Sequence, residues 1–281
     1  MDFVEPPGFA RGLHQKGTGM KNLSLSVVII SLNEERNIGR CLKSLRFSGK
    51  VFSKPEVIVV DAQSKDQTVA TARKLGAKVF TRAWKGYSDQ KNWALEKCRG
   101  EWILSLDADE ELRPELIQEI ERKVQETPPG VDGYFIKRRA FFLGKWIRHC
   151  GWWPDAQLRL IKKGRGKFTN EPVHEGLEVK GKTLDLDEPM NHYSYDTIRQ
   201  YLKKMNRYSD LYLLDVARKE KKKAFWMYYV TLAPLFTFLR MYISRGGILD
   251  GWHGFMVCGL SAFHDFCKYA KLWEREILKR K

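Results

Sequence analysis

The stretch "WILSLDADEEL", residues 102–112, runs from five mostly apolar residues into the carboxylates Asp107, Asp109, Glu110 and Glu111. The apolar part predicts a strand buried on both faces. Asp107 and Asp109 are two residues apart, so on an extended backbone their side chains leave the same face. Two carboxylates held together repel unless a divalent cation or a donor-rich ligand neutralises them. Hard cations such as Mg²⁺ and Mn²⁺ take oxygen ligands and bridge readily to phosphate. The pattern therefore predicts a strand that delivers a metal–diphosphate grip to the edge of a sheet. Glu110 and Glu111 also suit the first turn of a helix, where acidic residues are favoured.

The segments upstream have the same plan. "LSVVIIS" (25–31) is a β-branched run, followed by Ile38, Cys41, Leu42 and Leu45 at helical spacing with Asn33 as the expected N-cap. "EVIVVDAQSKDQTVATARKLG" (56–76) repeats strand, polar turn and helix, with Gly76 at the expected stop. A weak strand at 77–80 and a helix near 88–98 follow. Strands alternating with helices predict an α/β fold with a mostly parallel sheet. Ligands of such sheets bind beyond the carboxyl ends of the strands. Asn33 and Glu34, Asp61, and the 107–111 carboxylates all fall at those ends, so three polar clusters are expected to meet at one rim. A helix is expected from Pro114, antiparallel strands and loops over the Gly- and Trp-rich residues 130–195, and helices from 196 onward.

The net charge of +16 over 281 residues predicts attraction to an anionic partner. Nucleic acid is disfavoured as that partner, because the strand ends carry carboxylates where a phosphate-backbone binder needs Lys or Arg. An apolar fraction of 43% and an aromatic fraction of 12% exclude global disorder. The five cysteines are scattered without a CxxC pair, which predicts reduced thiols rather than a zinc site or disulfide framework. Residues 1–23 lack the apolar run of a signal peptide and read as a loose leader, with Met20 as an alternative start, in a cytoplasmic protein.

"SVVIISLNEERNI", "VIVVDAQSKDQT" and "WILSLDADEEL" together resemble the nucleotide-sugar domain of family 2 glycosyltransferases, in order and spacing, over about residues 24–195. The resemblance implies a GT-A fold, a Rossmann-like sheet with helices on both faces. It divides the domain into a nucleotide-sugar half (24–129) and an acceptor half (130–195). It also implies roles: Ser31, Asn33 and Glu34 lining the nucleotide pocket, Asp61 on the base or ribose, Asp107 on ribose or metal, and Asp109 holding the metal on the diphosphate. In "WKGYSDQKNWALEKC", Gln90, Lys91 and Asn92 stand where a closer subfamily places nucleotide contacts. Mg²⁺ or Mn²⁺ and a nucleotide sugar, most simply a UDP-sugar, are the implied cofactor and donor.

An inverting transfer needs a general base for the acceptor hydroxyl. "CGWWPDAQLRLIKKGRGKFTNEPVHEGL" supplies two candidates, Asp155 and Glu175. In related enzymes the "PD" and "VHE" positions both border the acceptor site, and both candidates stay open. Trp152 and Trp153 offer faces for a sugar, and Arg159 opens a basic segment suited to acceptor or donor phosphates. His174 is a further candidate for the metal or diphosphate, and His192 a weaker one.

Residues 199–281 carry 17 Lys and Arg against 7 Asp and Glu. They include the uncharged, aromatic run "AFWMYYVTLAPLFTF" (224–238), which is too short to span a bilayer and is interrupted by Pro234. Residues 196–281 therefore read as helices that pack on the catalytic domain, lie on an anionic membrane surface, or do both. "NHYSYDTIRQYLKKMNRYSDLYL" and "GGILDGWHGFMV" resemble the bacterial lipopolysaccharide inner-core glycosyltransferases of the WaaE/KdtX type. That resemblance implies transfer of a hexose, glucose in that group, to a heptose of lipid A-core at the cytoplasmic face of the inner membrane. Another glycan, a polyprenyl phosphate or a peptide is the alternative acceptor.

Overall fold

The computed structural model describes residues 23–52, 54–169, 176–218 and 226–278. Strand β1 (Leu25–Ser31) pairs in parallel with β2 (Glu56–Asp61) on one side and β4 (Trp102–Asp107) on the other. β3 (Lys78–Thr81) extends the parallel sheet beyond β2. The chain therefore runs outward from β1 to β3 and returns across β1 to β4. This reversal opens a crevice at the carboxyl ends of β1, β2 and β4, the usual ligand position in such sheets.

Three helices join these strands: α1 (Ile38–Ser44), α2 (Thr68–Lys74) and α3 (Tyr87–Lys97). The period-2 geometry of β1 sends Leu25, Val27 and Ile29 to one face, with Ile38, Cys41 and Ala72 of the first two helices. Val28 goes to the opposite face, with Ala94 of α3. Both faces are thus covered, which is why the parallel strands read as nearly continuous apolar runs. Gly76 takes φ +83° just after α2, as expected of a helix stop.

After β4 the chain forms the short β5 (Glu110–Glu111) and α4 (Pro114–Gln125), then β6 (Val131–Phe142) and β7 (Lys145–Trp146). β8 (Asp155–Lys162), β9 (Gly166–Phe168), β10 (Leu177–Val179), β11 (Lys182–Asp185) and β12 (Met190–Tyr195) follow. The main sheet runs β3-β2-β1-β4-β8-β6-β12-β5, with β7 and β11 also on β6. β8 is antiparallel to both β4 and β6, as expected for this region. β11 and β12 are not: both join β6 in parallel.

The helical region consists of α5 (Ile198–Arg218), α6 (Trp226–Leu239) and α7 (Gly251–Leu278). A π turn (Arg240–Ser244) and a 3₁₀ turn (Gly247–Asp250) link α6 to α7. These elements share a core with the acceptor half. Phe142, Ile147 and Cys150 pack with Tyr201, Met205, Met241, Val257 and Cys258. Among the described residues no helix is long and apolar enough to cross a membrane.

Candidate active site

The polar ends of β1 and β2 are tied to each other. Asp61 is fully buried and accepts hydrogen bonds from the Ser31 hydroxyl (2.9 Å) and from the Ser64 backbone N–H (2.7 Å) and hydroxyl. Asn33 has φ +55°, a left-handed conformation that Asn tolerates. It does not cap α1: Asn37 occupies that position, without a side-chain cap. Instead its N–H donates to the Ser64 hydroxyl (2.7 Å), and its side-chain oxygen accepts from the Lys65 N–H (2.9 Å). The Glu34 N–H donates to the Thr68 hydroxyl (2.8 Å). The two loops are thus stitched into one wall. Burial pushes the Glu34 carboxyl up to about 7, against the Asn37 amide that donates to it at 2.9 Å.

The carboxylate cluster differs from the arrangement expected on extended backbone. β4 ends at Asp107, Ala108 and Asp109 form a turn, and Glu110 and Glu111 pair with β12. Asp107 and Asp109 therefore do not stand side by side on one strand face. Asp107 has a cation on each oxygen, with the Lys91 ammonium 2.8 Å from one and the Arg159 guanidinium 2.5 Å from the other. Burial opposes its ionisation, but Arg159 and Lys91 outweigh that and hold it well below the usual carboxylate range. Glu110, almost wholly buried, pairs with Arg159 and with Arg138 (3.3 Å) and accepts from the Asp107 N–H (2.9 Å). Arg138 also grips Asp155 through two N–H donors, at 2.9 and 2.6 Å, while Gln157 donates to the other Asp155 oxygen (2.9 Å). The protein's own cations thus neutralise much of the negative charge.

Asp109 is the exception. Its contact among these side chains is His192 Nε2, 3.4 Å away, and its carbonyl accepts from the Tyr193 N–H (2.9 Å). Burial works against ionisation here too, but His192 outweighs it and Asp109 titrates below its ordinary range. No group of three or more His, Cys, Asp or Glu gathers around one point among the described residues. A carboxylate beside an imidazole nevertheless fits a hard cation whose remaining ligands are substrate phosphate oxygens and water. Asp109 with His192, rather than Asp107, is the pair with free capacity.

The other expected residues divide into open and committed groups. Gln90 is fully buried beside Lys91, and its side-chain nitrogen is unpaired, while its oxygen accepts from Arg82 (3.3 Å). Asn92 is committed at both ends: its amide donates to the Phe168 carbonyl (2.9 Å) and accepts from the Phe168 N–H (2.8 Å). Arg159, expected at the acceptor, is 4% exposed and lies behind the carboxylates. Trp152 packs edge-on to Phe142, and Trp153 edge-on to Trp146. His174 and Glu175 lie outside the described residues.

Arg138 and Lys204 were not foreseen. Lys204, on α5, holds its ammonium 5.2 Å from the Tyr195 ring centroid, and its charge acts on both Glu34 and Asp109. Three turns of α5 are enough to place Arg207 over Tyr87 at the start of α3 (5.3 Å), so this helix reaches across from β12 to α3. The pattern "YLKKMNRY" shows a basic helix but not what it overlies. A cleft of about 760 Å³ between α1 and α4 is lined by Arg40 and Glu111 but by none of the groups above. The strand ends, not that cleft, gather the chemistry.

A doubly covered α/β sheet with acidic groups at its topological switch is an arrangement of the GT-A kind. The chain belongs to glycosyl transferase family 2, whose model matches residues 26–175. It is 29% identical over 269 residues to the lipopolysaccharide core biosynthesis glycosyltransferase LpsC of Rhizobium meliloti, covering 92% of this chain and 94% of the relative. It is 33% identical over 273 residues to an uncharacterized glycosyltransferase of Rickettsia felis, covering 92% of each. Among solved structures, a mannosyltransferase of Pyrobaculum calidifontis, in complex with GDP-mannose and Mn²⁺, superposes with a TM-score of 0.54. That match covers 91% of this chain and 89% of the other at 15% identity, a likeness of fold.

Proposed function

We propose that the protein is an inverting, divalent-metal-dependent hexosyltransferase that moves a sugar, glucose being the first candidate, from a UDP-sugar to a heptose of the lipopolysaccharide inner core. The observation that carries this reading is the meeting of the Ser31–Asn33–Glu34–Asp61 wall with the Asp109–His192 pair at one rim. The wall suits a nucleoside, since buried acceptors and oriented amides read ribose and base. Asp109 and His192 would hold Mg²⁺ or Mn²⁺ against the diphosphate, where the cation offsets the charge of the leaving nucleoside diphosphate. Gln90 and Lys204 would contact the donor from α3 and α5. Asp155, oriented by Arg138 and Gln157, is the general base that this geometry supports, with Glu175 as the alternative. Trp152 and Trp153 would border the acceptor sugar.

The similarity to LpsC supports a lipopolysaccharide acceptor. A lipid-anchored, phosphorylated acceptor also agrees with the charge of +16 and places the enzyme peripherally at the cytoplasmic face of the inner membrane. A capsule glycan, polyprenyl phosphate or peptide acceptor is the second reading, which trials against those acceptors would distinguish. The test of the site is titration calorimetry against a panel of nucleotide sugars with Mg²⁺ or Mn²⁺, followed by turnover of Asp109→Asn. The variant is expected to fold normally and lose metal-dependent turnover by about 10²-fold or more. Unchanged rate and metal dependence in Asp109→Asn would overturn the assignment.

A further inference from the structure

α6 and α7 form an antiparallel hairpin. Tyr229 packs against Tyr269, and the Thr237 hydroxyl donates to Asp265 at 2.6 Å. The π and 3₁₀ turns make its tip, and that tip is apolar and uncovered. Ile243 is 66% exposed, Ile248 58%, Leu249 71% and Trp252 80%. On α6, Leu232, Leu235, Phe236 and Leu239 continue the exposed surface at spacings of three and four. An uncovered surface of this kind marks an interaction site rather than scattered exposure.

Its charge identifies the partner. Residues 226–264 contain one carboxylate, Asp250, and it is 3% exposed. Lys145, Arg148, Arg240 and Arg245 surround the tip on exposed positions, and none makes an ion pair among the described residues. Arg240 lies over the Phe236 ring, while Lys145 and Arg148 share a cavity of about 540 Å³ with Leu249. Apolar side chains and a terminal Trp within a fringe of cations that form no ion pair among the described residues match the interface of an anionic bilayer. A second copy would bring like charges together.

The tip is also clamped to the acceptor half. Asp250 accepts from the backbone N–H of His149 (2.9 Å) and of Arg148 (3.3 Å), and Lys145 donates to the Asp250 carbonyl (2.8 Å). The Cys150 N–H donates to the Arg245 carbonyl (3.1 Å). A Cβ on Gly254 would stand 1.9 Å from the Gly247 carbonyl oxygen, so only glycine permits this crossing. The same loop leads through Trp152 and Trp153 to Asp155. We infer that the 240–252 tip is a membrane-insertion wedge for anionic lipid, fixed rigidly to the acceptor loop so that docking sets the height of the active site above the bilayer. The inference deepens the lipid-acceptor reading by naming the surface that meets the lipid.

The test is co-sedimentation of the full chain with phosphatidylcholine vesicles, with and without phosphatidylglycerol, for wild type and for Leu249→Ser/Trp252→Ser. Wild type is expected to bind the anionic vesicles, weakening with salt, and the double variant to bind about tenfold or more weakly. Brominated lipid is expected to quench wild-type tryptophan fluorescence more than that of Trp252→Phe. Both residues are exposed, and the double variant should bind a nucleoside diphosphate with Mn²⁺ as wild type does. Equal sedimentation of wild type and double variant would overturn the wedge, as would a concentration-dependent dimer that the double substitution dissolves. If wild type binds vesicles but no nucleoside diphosphate, the proposed enzymatic site fails while the wedge stands.

Discussion

Residues 24–129 supply the carboxylates Glu34, Asp61, Asp107, Asp109 and Glu110, whereas later residues supply most of the groups that face them: the cations Arg138, Arg159 and Lys204 and the imidazole of His192. At the ends of β1 and β2 the polar groups are held by the neighbouring loop residues, as Asp61 is by Ser31 and Ser64. In the second half the facing groups project from separate elements, β6, β8, β12 and α5, onto a rim they do not form. The wall formed by the ends of β1 and β2 is thus self-supporting, while the carboxylate cluster is a joint between the halves. The joint and the proposed reaction site share residues, so breaking one ion pair tests both.

The largest effect is expected at Arg159. Its guanidinium is 4% exposed and reaches both Asp107 and Glu110. Arg159→Met leaves two carboxylates short of a partner in a buried setting, which costs about 3–5 kcal/mol. Urea unfolding at neutral pH would measure that loss. Arg159→Lys should recover only part of it, because a compact ammonium is more strongly hydrated, and so costlier to bury, than the guanidinium whose Nη2 serves both acceptors. A cost below about 1 kcal/mol for Arg159→Met would mean the halves do not depend on this joint.

This joint also explains what the sequence did not reveal. The strand 102–107 was legible because a buried parallel strand must be apolar along its length, and the crevice was legible because polar groups end three such strands. The turn at Ala108–Asp109 was not. An Asp-x-Asp spacing is the same on extended and turned backbone, and β12, some 80 residues later, provides the pairing that turns it. Arg159 reads locally as part of a basic strand, yet its partners lie 52 and 49 residues earlier. Asn33 has the chemistry of an N-cap, and it makes equivalent bonds to the next loop instead. Local pattern thus located the elements and the rim, but not the non-local charge pairing across it.

The next effect belongs to the self-supporting half. Burial raises the Glu34 carboxyl from 4.5 to about 7. A raised carboxyl binds its proton more tightly in the folded state, so its stabilising contribution is complete below about 4.5 and is lost as pH rises through about 7. The shift corresponds to about 3 kcal/mol. Wild-type stability should therefore fall over that interval relative to Glu34→Gln, whose amide carries no charge to bury. Thermal unfolding of both proteins from pH 4.5 to 8 measures the difference, and parallel curves would mean Glu34 titrates normally.

The smallest effect reaches across the same boundary through Lys204. Its positive charge favours the ionised forms of both Glu34 and Asp109 without touching either closely enough to pair. An unpaired cation near an acidic rim is offset when a diphosphate arrives, since the ligand brings more negative charge than the rim holds alone. Lys204→Gln should weaken nucleoside diphosphate binding with Mn²⁺ by about fivefold to tenfold, a modest loss for one partly exposed charge. Maximal turnover at saturating donor should change little if the contact is made equally in ground and transition states. The same substitution removes a charge that lowers the Glu34 carboxyl, so the pH at which wild-type stability is lost should move upward. A purely structural lysine would shift neither the donor affinity nor that midpoint, and movement of the midpoint alone would limit Lys204 to the resting electrostatics of the rim.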